Sequence, residues 1–226
     1  MPFLKYSRRV EPLWKENESL TFKTGLHHTI YSVSGDRYIG EWLSNHREGK
    51  GAHHARTNKL YEGDWKNDSR HGYGILSTKR SDGIYSTNYA GEWRNGRRHG
   101  IGVCHYNNGG YYEGRWKNKE RSGHGRMWFS DGAFYEGEWL NDKFHGIGLF
   151  VQENGNRYEG EWKNGLKHGH GKFFHLDSGQ LQEGLWYNGV SVTSVMVDMY
   201  YRQATLQPTK YPIPKVERET CQTLDK

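Results

Sequence analysis

A row of histidines is the first set of side chains in this sequence that could do chemistry. His71, His99, His145 and His168 each stand directly before a Gly-x-Gly sequence. Imidazoles are common zinc ligands, but equivalent positions on strands two steps apart in a sheet are separated by about 9.5 Å. Ligands that must lie about 2 Å from one ion cannot have that spacing. We therefore expect no metal site and interpret these histidines as turn residues that hydrogen-bond the backbone.

A second row is acidic and also fails to predict catalysis. Its members stand between a glycine and a tryptophan: Glu41, Asp64, Glu92, Glu138 and Glu161. Paired carboxylates can act as acid and base, yet a row along one sheet face is typical of a solvated surface. Cys104 and His105 form no catalytic pair, because adjacent strand residues point to opposite faces. Gly-x-Gly recurs without a phosphate-binding motif. We predict a protein that is not an enzyme and binds no cofactor.

Composition limits the remaining classes of protein. The 226 residues are 33% hydrophobic and 15% aromatic, with a net charge of +6 and a mean hydropathy of -1.04. Residues 38–189 hold 21 Lys plus Arg against 18 Asp plus Glu, and such near parity argues against nucleic-acid binding. No apolar run has the length of a membrane span, and two cysteines give no disulfide framework. We expect a cytoplasmic protein.

A repeat with a period of 23 residues organises the chain. Six segments read Tyr-x-Gly-x-Trp, followed by a turn and then by Gly-x-Gly. Their aromatic residues are Tyr38, Trp42, Tyr61, Trp65, Tyr89, Trp93, Tyr112, Trp116, Tyr135, Trp139, Tyr158 and Trp162. A seventh segment, with Gln182 and Trp186, lacks the tyrosine. A five-residue insertion within residues 79–87 breaks the period, which predicts a longer hairpin.

Each repeat holds two turn signals, and together they predict β-hairpins. Asn95-Gly96 is typical of the first signal and Asp131-Gly132 of the second, and both pairs tolerate the positive φ angles of tight turns. Because strand side chains alternate, Tyr, Gly and Trp share one face and the carboxylates share the other. Glycine within a strand is costly, so we expect an aromatic ring to lie over it. The sequence predicts an all-β, elongated, single-layer antiparallel meander of about thirteen strands.

The flanking segments carry weaker patterns. Residues 1–37 form an N-terminal extension in which Trp14 indicates a degenerate unit. Residues 190–206 fit both the apolar spacing of a helix and the alternation of a strand. We favour a short C-terminal helix that caps the end of the sheet. Residues 207–226 form a Pro-containing tail that we expect to be flexible.

These recurrent motifs carry a family resemblance. Tyr-x-Gly-x-Trp, Asn-Gly, His-Gly-x-Gly and Asp-Gly at this period resemble the MORN repeat (membrane occupation and recognition nexus). The resemblance covers residues 38–189 as about seven units, with Glu48 and Ser122 in place of the histidine. It implies a non-catalytic scaffold or adaptor in cytoskeletal, flagellar or vesicle assemblies. The chain's length and short tails are similar to a vertebrate germ-cell member, which implies a role in spermatogenesis near the acrosome or flagellum.

The aromatic row predicts the partner-binding surface. A single sheet layer cannot cover its own aromatic face, so we expect a helical or extended segment of another protein to lie along the twelve rings named above. Packing between repeats is the other interpretation, and one ring can serve both roles. The alternative function is a peripheral membrane tether that binds phosphoinositides through Arg97, Arg98, Lys119 and Arg121. A homodimer is compatible with either function.

Overall fold

One open antiparallel sheet makes up the part of the protein that the structure, a computed structural model, describes, residues 20–199. Its 15 strands follow one another in sequence order, each paired with its neighbours along the chain. The strands are β1 (Gly25–Tyr31), β2 (Arg37–Leu43), β3 (His46–Ala55), β4 (Lys59–Lys66), β5 (Ser69–Lys79), β6 (Tyr85–Arg94), β7 (Arg97–His105), β8 (Tyr111–Lys117), β9 (Glu120–Trp128), β10 (Phe134–Leu140), β11 (Lys143–Val151), β12 (Arg157–Lys163), β13 (Leu166–His175), β14 (Gln180–Tyr187) and β15 (Val190–Asp198). The predicted all-β meander in a single layer is confirmed.

Tight turns join the strands, as the Asn-Gly and Asn-Asp pairs predict. Seven hairpins have positive φ at both turn residues, for example 46° at Asn67 and 62° at Asp68. Asparagine, aspartate and glycine adopt this left-handed region more readily than other residues. The second turn signal also closes a hairpin, since the N–H of Gly132 donates to the carbonyl of Phe129 at 3.1 Å.

The five-residue insertion lengthens one hairpin, as expected. β5 and β6 extend beyond the usual strand end, and the N–H of Arg80 donates to the carbonyl of Ile84 at 2.8 Å across the tip. A register shift between Leu76 and Ser77 accommodates the added length. Such a bulge lets the two longer strands keep their pairing with the rest of the sheet.

Residues 190–198 form a strand, so the prediction of a helix from residue 190 is wrong there. β15 pairs with β14, with Val197 opposite Leu181 and Ser194 opposite Gly184. Valine and threonine dominate this segment, and β-branched residues favour strands over helices. The strand alternation in its sequence was therefore the pattern that decided its structure. The predictions for Trp14, residues 200–206 and the Pro-containing tail lie outside the described residues.

The main core lies on the aromatic face of the sheet. It contains the repeated tyrosines and tryptophans together with Cys104, Met127 and Phe173. Cys104 is buried and His105 is exposed, which confirms that the two point to opposite faces and that the cysteine is a packing residue. A smaller cluster of Phe134, Leu149 and Val151 lies on the opposite face, because these residues alternate with core positions along β10 and β11.

Paired glycines allow each tyrosine ring to lie against the backbone. Gly114 of β8 stands opposite Gly125 of β9, and a Cβ atom on Gly125 would overlap the ring of Tyr112. The same overlap recurs at Gly51, Gly74, Gly102, Gly148 and Gly171. The expected aromatic cover over strand glycine is confirmed, and it explains why no larger residue stands at these positions.

Candidate functional site: the aromatic and cationic face

A continuous ladder of aromatic rings runs along one face of the sheet. Each repeated tyrosine contacts the tryptophan of its own unit and that of the next, with ring centroids 5.0 to 5.8 Å apart and interplanar angles of 84° to 88°. Edge-to-face pairs of this kind contribute about 0.5 to 1.5 kcal/mol beyond the area they bury. The ladder starts at Trp42 and ends at Trp186.

Hydrogen bonds fix the ladder to the backbone. The indole N–H of Trp116 donates to the carbonyl of Gly102 at 3.1 Å, and the hydroxyl of Tyr112 donates to the carbonyl of Arg115 at 3.0 Å. Equivalent indole bonds occur at Trp65, Trp93, Trp139 and Trp162. These five tryptophans thus link their own unit to the preceding one, both through the ring and through a polar contact, whereas the indole N–H groups of Trp42 and Trp186 have no partner among the described residues.

The structure places the twelve predicted partner-binding rings inside the array itself. Eleven are buried, with Tyr112, Tyr135 and Tyr158 at 0% exposure, and Trp42 at the start of the ladder is half-buried. Packing between repeats therefore accounts for most of their surface. Other half-buried apolar side chains pack against the ladder and lie nearer the solvent: Leu76, Tyr106, Phe129, Phe144 and Phe150.

A row of cations covers the rings, and the sequence analysis missed it. Arg98 has its guanidinium carbon 4.2 Å from the Trp116 ring centroid, and Lys167 has its Nζ 4.7 Å from that of Trp186. Arg47, Arg70 and Arg121 stack in the same way. In the fifth unit Phe144 stands at the position of the cation, and its ring stacks on that of Tyr135 with the centroids 3.7 Å apart. The sequence signal that could have predicted this row is a basic residue two positions after the first turn in most units.

Burial changes the ionisation of groups on this face. It raises the pKa of Tyr38 and of Tyr158 to about 12, since a phenolate would lose hydration among the rings. Burial likewise raises the pKa of Tyr61, Tyr89, Tyr112 and Tyr135. Burial also lowers the pKa of Arg70 and of Lys167, whose charged groups lie among the same side chains.

We expect the array to unfold at alkaline pH. An unfolded tyrosine ionises at about pH 10, whereas Tyr38 and Tyr158 keep their protons in the fold to about pH 12. The folded state therefore binds more protons in this window, so stability is full below about pH 10 and falls as the pH rises. Circular dichroism and tyrosinate absorbance, recorded over one pH titration, should change together. Full tyrosine ionisation with a midpoint near 10 and an intact sheet signal would contradict this.

The acidic row lies on the opposite face, where four of its members bind backbone. Glu92 Oε1 accepts the N–H of Ile101 at 2.9 Å, and Asp64 accepts that of Tyr73 at 2.9 Å. Glu41 and Glu161 bind the N–H groups of Lys50 and His170. Four of the five carboxylates are exposed and Asp64 is half-buried, so the row is a solvated face, as predicted. Its carboxylates also bind backbone N–H groups in the bulged segments of the following strand.

The histidine row does not make the expected hydrogen bonds. The Nδ1 atoms of His71, His99, His145 and His168 are buried without a hydrogen-bond partner among the described residues. No cluster of three or more metal-ligating side chains occurs within residues 20–199. The same part of the chain contains no helix with the length and hydropathy of a membrane span.

The residues considered for lipid binding fall into two groups. Arg97 and Lys119 are exposed near the turns. Arg98 and Arg121 are half-buried and stack on rings, and Arg121 also pairs with Asp142, with its Nε 2.8 Å from Oδ1. The four side chains therefore do not form one protruding basic patch.

The insertion creates a cavity at the margin of the sheet. It has a volume of about 690 Å³ and lies between the lengthened β5–β6 hairpin and the β7–β8 hairpin. Lys79 and Arg80 line one side, and His105 and Tyr106 line the other. Tyr106 also packs against the aromatic ladder, so the cavity adjoins the candidate face.

Six segments of the chain match the MORN repeat, at residues 38–53, 61–79, 89–111, 112–134, 135–157 and 158–174. The chain belongs to the MORN repeat family. The six matched MORN segments each contribute one Tyr and one Trp to the ladder, so the ladder is how the family repeat appears in this structure.

Full-length MORN relatives are also similar to the chain. It is 54% identical over 219 residues to MORN repeat-containing protein 3 of Xenopus laevis, covering 96% of this chain and 92% of the relative. The proteins of the same name from Mus musculus and Bos taurus are 55% and 51% identical, covering 96% of this chain and 90% of each relative. The similarity therefore extends beyond the repeats into the flanking segments.

Proposed function

We propose that the chain is a non-catalytic scaffold that binds a helical or extended segment of a partner protein along its aromatic and cationic face. The observation that carries this proposal is the single layer of the sheet. Within residues 20–199, backbone pairing joins strands that are neighbours in sequence, and no second layer of described chain packs on either face. No other described element covers the aromatic face along the array, and another polypeptide would lie on this face.

The partner would meet the surface above the rings rather than the rings themselves. Phe129 and Phe150 are half-buried beside the ladder, and the stacked cations of the other units offer hydrogen-bond donors. Mixed aromatic and arginine surfaces are enriched at protein interfaces. We propose that the predicted ring residues support this surface, with packing as their larger role.

The cellular setting is part of the same proposal. By the family resemblance, the scaffold would act in the cytoplasm of male germ cells during spermatogenesis, on cytoskeletal, flagellar or acrosomal vesicle structures. A homodimer is compatible with this arrangement. Phosphoinositide binding is the second candidate, favoured by the exposed side chains of Arg97 and Lys119, and sedimentation with acidic vesicles tests it.

Site-specific photo-cross-linking tests which face binds the partner. A benzophenone amino acid placed at Phe129 or Phe150 should cross-link a germ-cell protein, because both side chains lie at the aromatic face. The matched controls are Ile101 and Ile147, which are 62% and 65% exposed on the opposite face. Equal or stronger cross-linking from the two controls would overturn the assignment of the binding face.

A further inference from the structure

The stacked cations differ in whether a carboxylate accompanies them. Arg47 lies with its Nε 3.2 Å from Oδ1 of Asp68, and its backbone N–H donates to the same oxygen at 2.9 Å. Arg121 makes the same contacts to Asp142, at 2.8 and 3.0 Å. Each arginine also donates through Nη2 to the carbonyl of its aspartate, at 3.0 and 3.1 Å. Each of these two guanidinium groups therefore has two of its five N–H donors bound to its aspartate.

Arg70 and Arg98, which lie between those two in the row, pair with no carboxylate among the described residues. Arg70 contacts the rings of Tyr61 and Trp93, at 4.9 and 5.1 Å. Arg98 stacks on Trp116 and makes one weak contact to Cys104 Sγ at 3.4 Å. Rings cover the faces of the guanidinium groups, and most of the N–H donors at their edges remain unused.

Whether an arginine has a carboxylate partner depends on the second residue of the turn in the following unit. That residue donates its N–H to the arginine's carbonyl in every case: Asp68 to Arg47 at 3.1 Å, Gly96 to Arg70 at 2.9 Å, Lys119 to Arg98 at 2.9 Å and Asp142 to Arg121 at 3.2 Å. The backbone is therefore the same in all four units. Only the carboxylate is missing at the two central ones, where glycine and lysine replace aspartate.

The two central arginines are regularly placed. They occupy equivalent positions on β5 and β7, two strand steps apart, which corresponds to about 9.5 Å. Lys119, whose N–H bonds to the carbonyl of Arg98, is exposed and adds positive potential without competing for the same rings. An anion that reaches this part of the face meets two preorganised donors in series along the array.

We propose that Arg70 and Arg98 are a carboxylate-binding pair that recognises an acidic segment of the partner protein. Two carboxylates of the segment take the roles that Asp68 and Asp142 have in the neighbouring units. Their spacing fits side chains three residues apart in an extended polyproline II segment or about seven apart in a helix. This inference rests on the proposed scaffold function and specifies that the bound segment of the partner is acidic.

The geometry favours a polypeptide over a membrane surface. Both guanidinium groups are half-buried and lie on the rings in a row that crosses the strands. A narrow chain can follow such a row, whereas a flat surface of lipid headgroups would first meet exposed side chains such as that of Lys119. Attachment to an acidic membrane also depends mainly on a cluster of protruding basic residues.

A fluorescent oligoglutamate peptide tests the pair on the full chain. A length of about twelve residues covers the about 38 Å between β5 and β13 in extended form, and oligoglutamine of equal length is the neutral comparison. Fluorescence anisotropy should show binding of oligoglutamate alone. Failure of the wild-type chain to bind it would overturn the proposal.

The turn position offers a matched pair of variants. Gly96→Asp supplies Arg70 with the carboxylate it lacks, and we expect oligoglutamate binding to weaken about fivefold or more. Gly165→Asp adds the same charge at the same turn position, but its N–H bonds to the carbonyl of Phe144, which takes the place of the stacked arginine in that unit. We expect less than about a twofold change there. Equal weakening by both substitutions would show that oligoglutamate binding depends only on net charge, and it would overturn the proposed role of Arg70 and Arg98.

Two further measurements complete the test. The double variant R70K/R98K should keep at least about half of the binding energy of the wild type, since Lys167 shows that lysine can stack at this position; thermal unfolding verifies that each variant folds. Phosphatidylcholine vesicles with phosphatidylinositol bisphosphate form the other arm. Vesicle binding that Gly96→Asp abolishes, with no oligoglutamate binding, would reassign the pair to lipid. If oligoglutamate fails while cross-links at Phe129 persist, the scaffold function stands and the acidic partner does not.

Discussion

Replacing Gly125 with alanine is expected to lower the free energy of unfolding by about 3 kcal/mol. The added Cβ atom would overlap the buried ring of Tyr112, and that ring contacts both Trp116 and Trp139. A displaced tyrosine would therefore weaken the contacts between two successive units. Urea unfolding, followed by circular dichroism and tryptophan fluorescence, measures the loss.

Gly165→Asn is the control for this substitution. Gly165 has φ of 86°, and a Cβ atom there meets nothing within 4 Å. Asparagine tolerates the left-handed region, so we expect a change below about 1 kcal/mol. Equal destabilisation by both substitutions would show that lost glycine flexibility, and not ring overlap, explains the requirement for glycine.

Trp116→Ala and Trp139→Ala are each expected to cost about 3 to 5 kcal/mol of stability. Both indoles are 3% exposed, and each contacts two tyrosines and donates a hydrogen bond to a glycine carbonyl of the preceding unit. The sequence predicts these rings as partner-binding residues, with packing between repeats as the other interpretation. The structure favours packing as their larger role, because the rings connect one unit to the next.

Tyr187→Ala is a suitable comparison, since this aromatic side chain is 62% exposed and its loss should change stability by less than about 1 kcal/mol. Differential scanning calorimetry of the three variants separates buried from exposed rings. If Trp116→Ala unfolds like the wild type but no longer captures a partner, the indole belongs to the binding surface and its packing role is minor.

The repeat made most of the fold predictable from sequence. Tyr-x-Gly-x-Trp fixed the strand alternation, and the Asn-Gly and Asp-Gly pairs marked the turns, so strand order and the aromatic face followed from local rules. The C-terminal strand was mispredicted because residues 190–198 fit two periodicities. Pairing with β14 decided between them, and such long-range pairing is not visible in a short window.

The candidate face was only partly predictable. The ring residues were identified correctly as a row, but their burial depends on neighbouring units and on stacked side chains such as Arg98. The difference between Arg47 and Arg70 depends on one turn residue in the following unit, Asp68 or Gly96. Each arginine and its turn residue lie more than twenty positions apart in sequence, so only the strand pairing shows that they are in contact.

The restriction of backbone pairing to adjoining strands has a consequence for how such proteins change length. A tandem duplication of one 23-residue module would insert two strands. The strands on either side of the insertion already have the edges and rings that pair with such a module. Older modules would keep all their own contacts and move only in position. The lengthened β5–β6 hairpin gives the array one asymmetric landmark, so modules gained on either side of it would alter the distance between that landmark and each terminus.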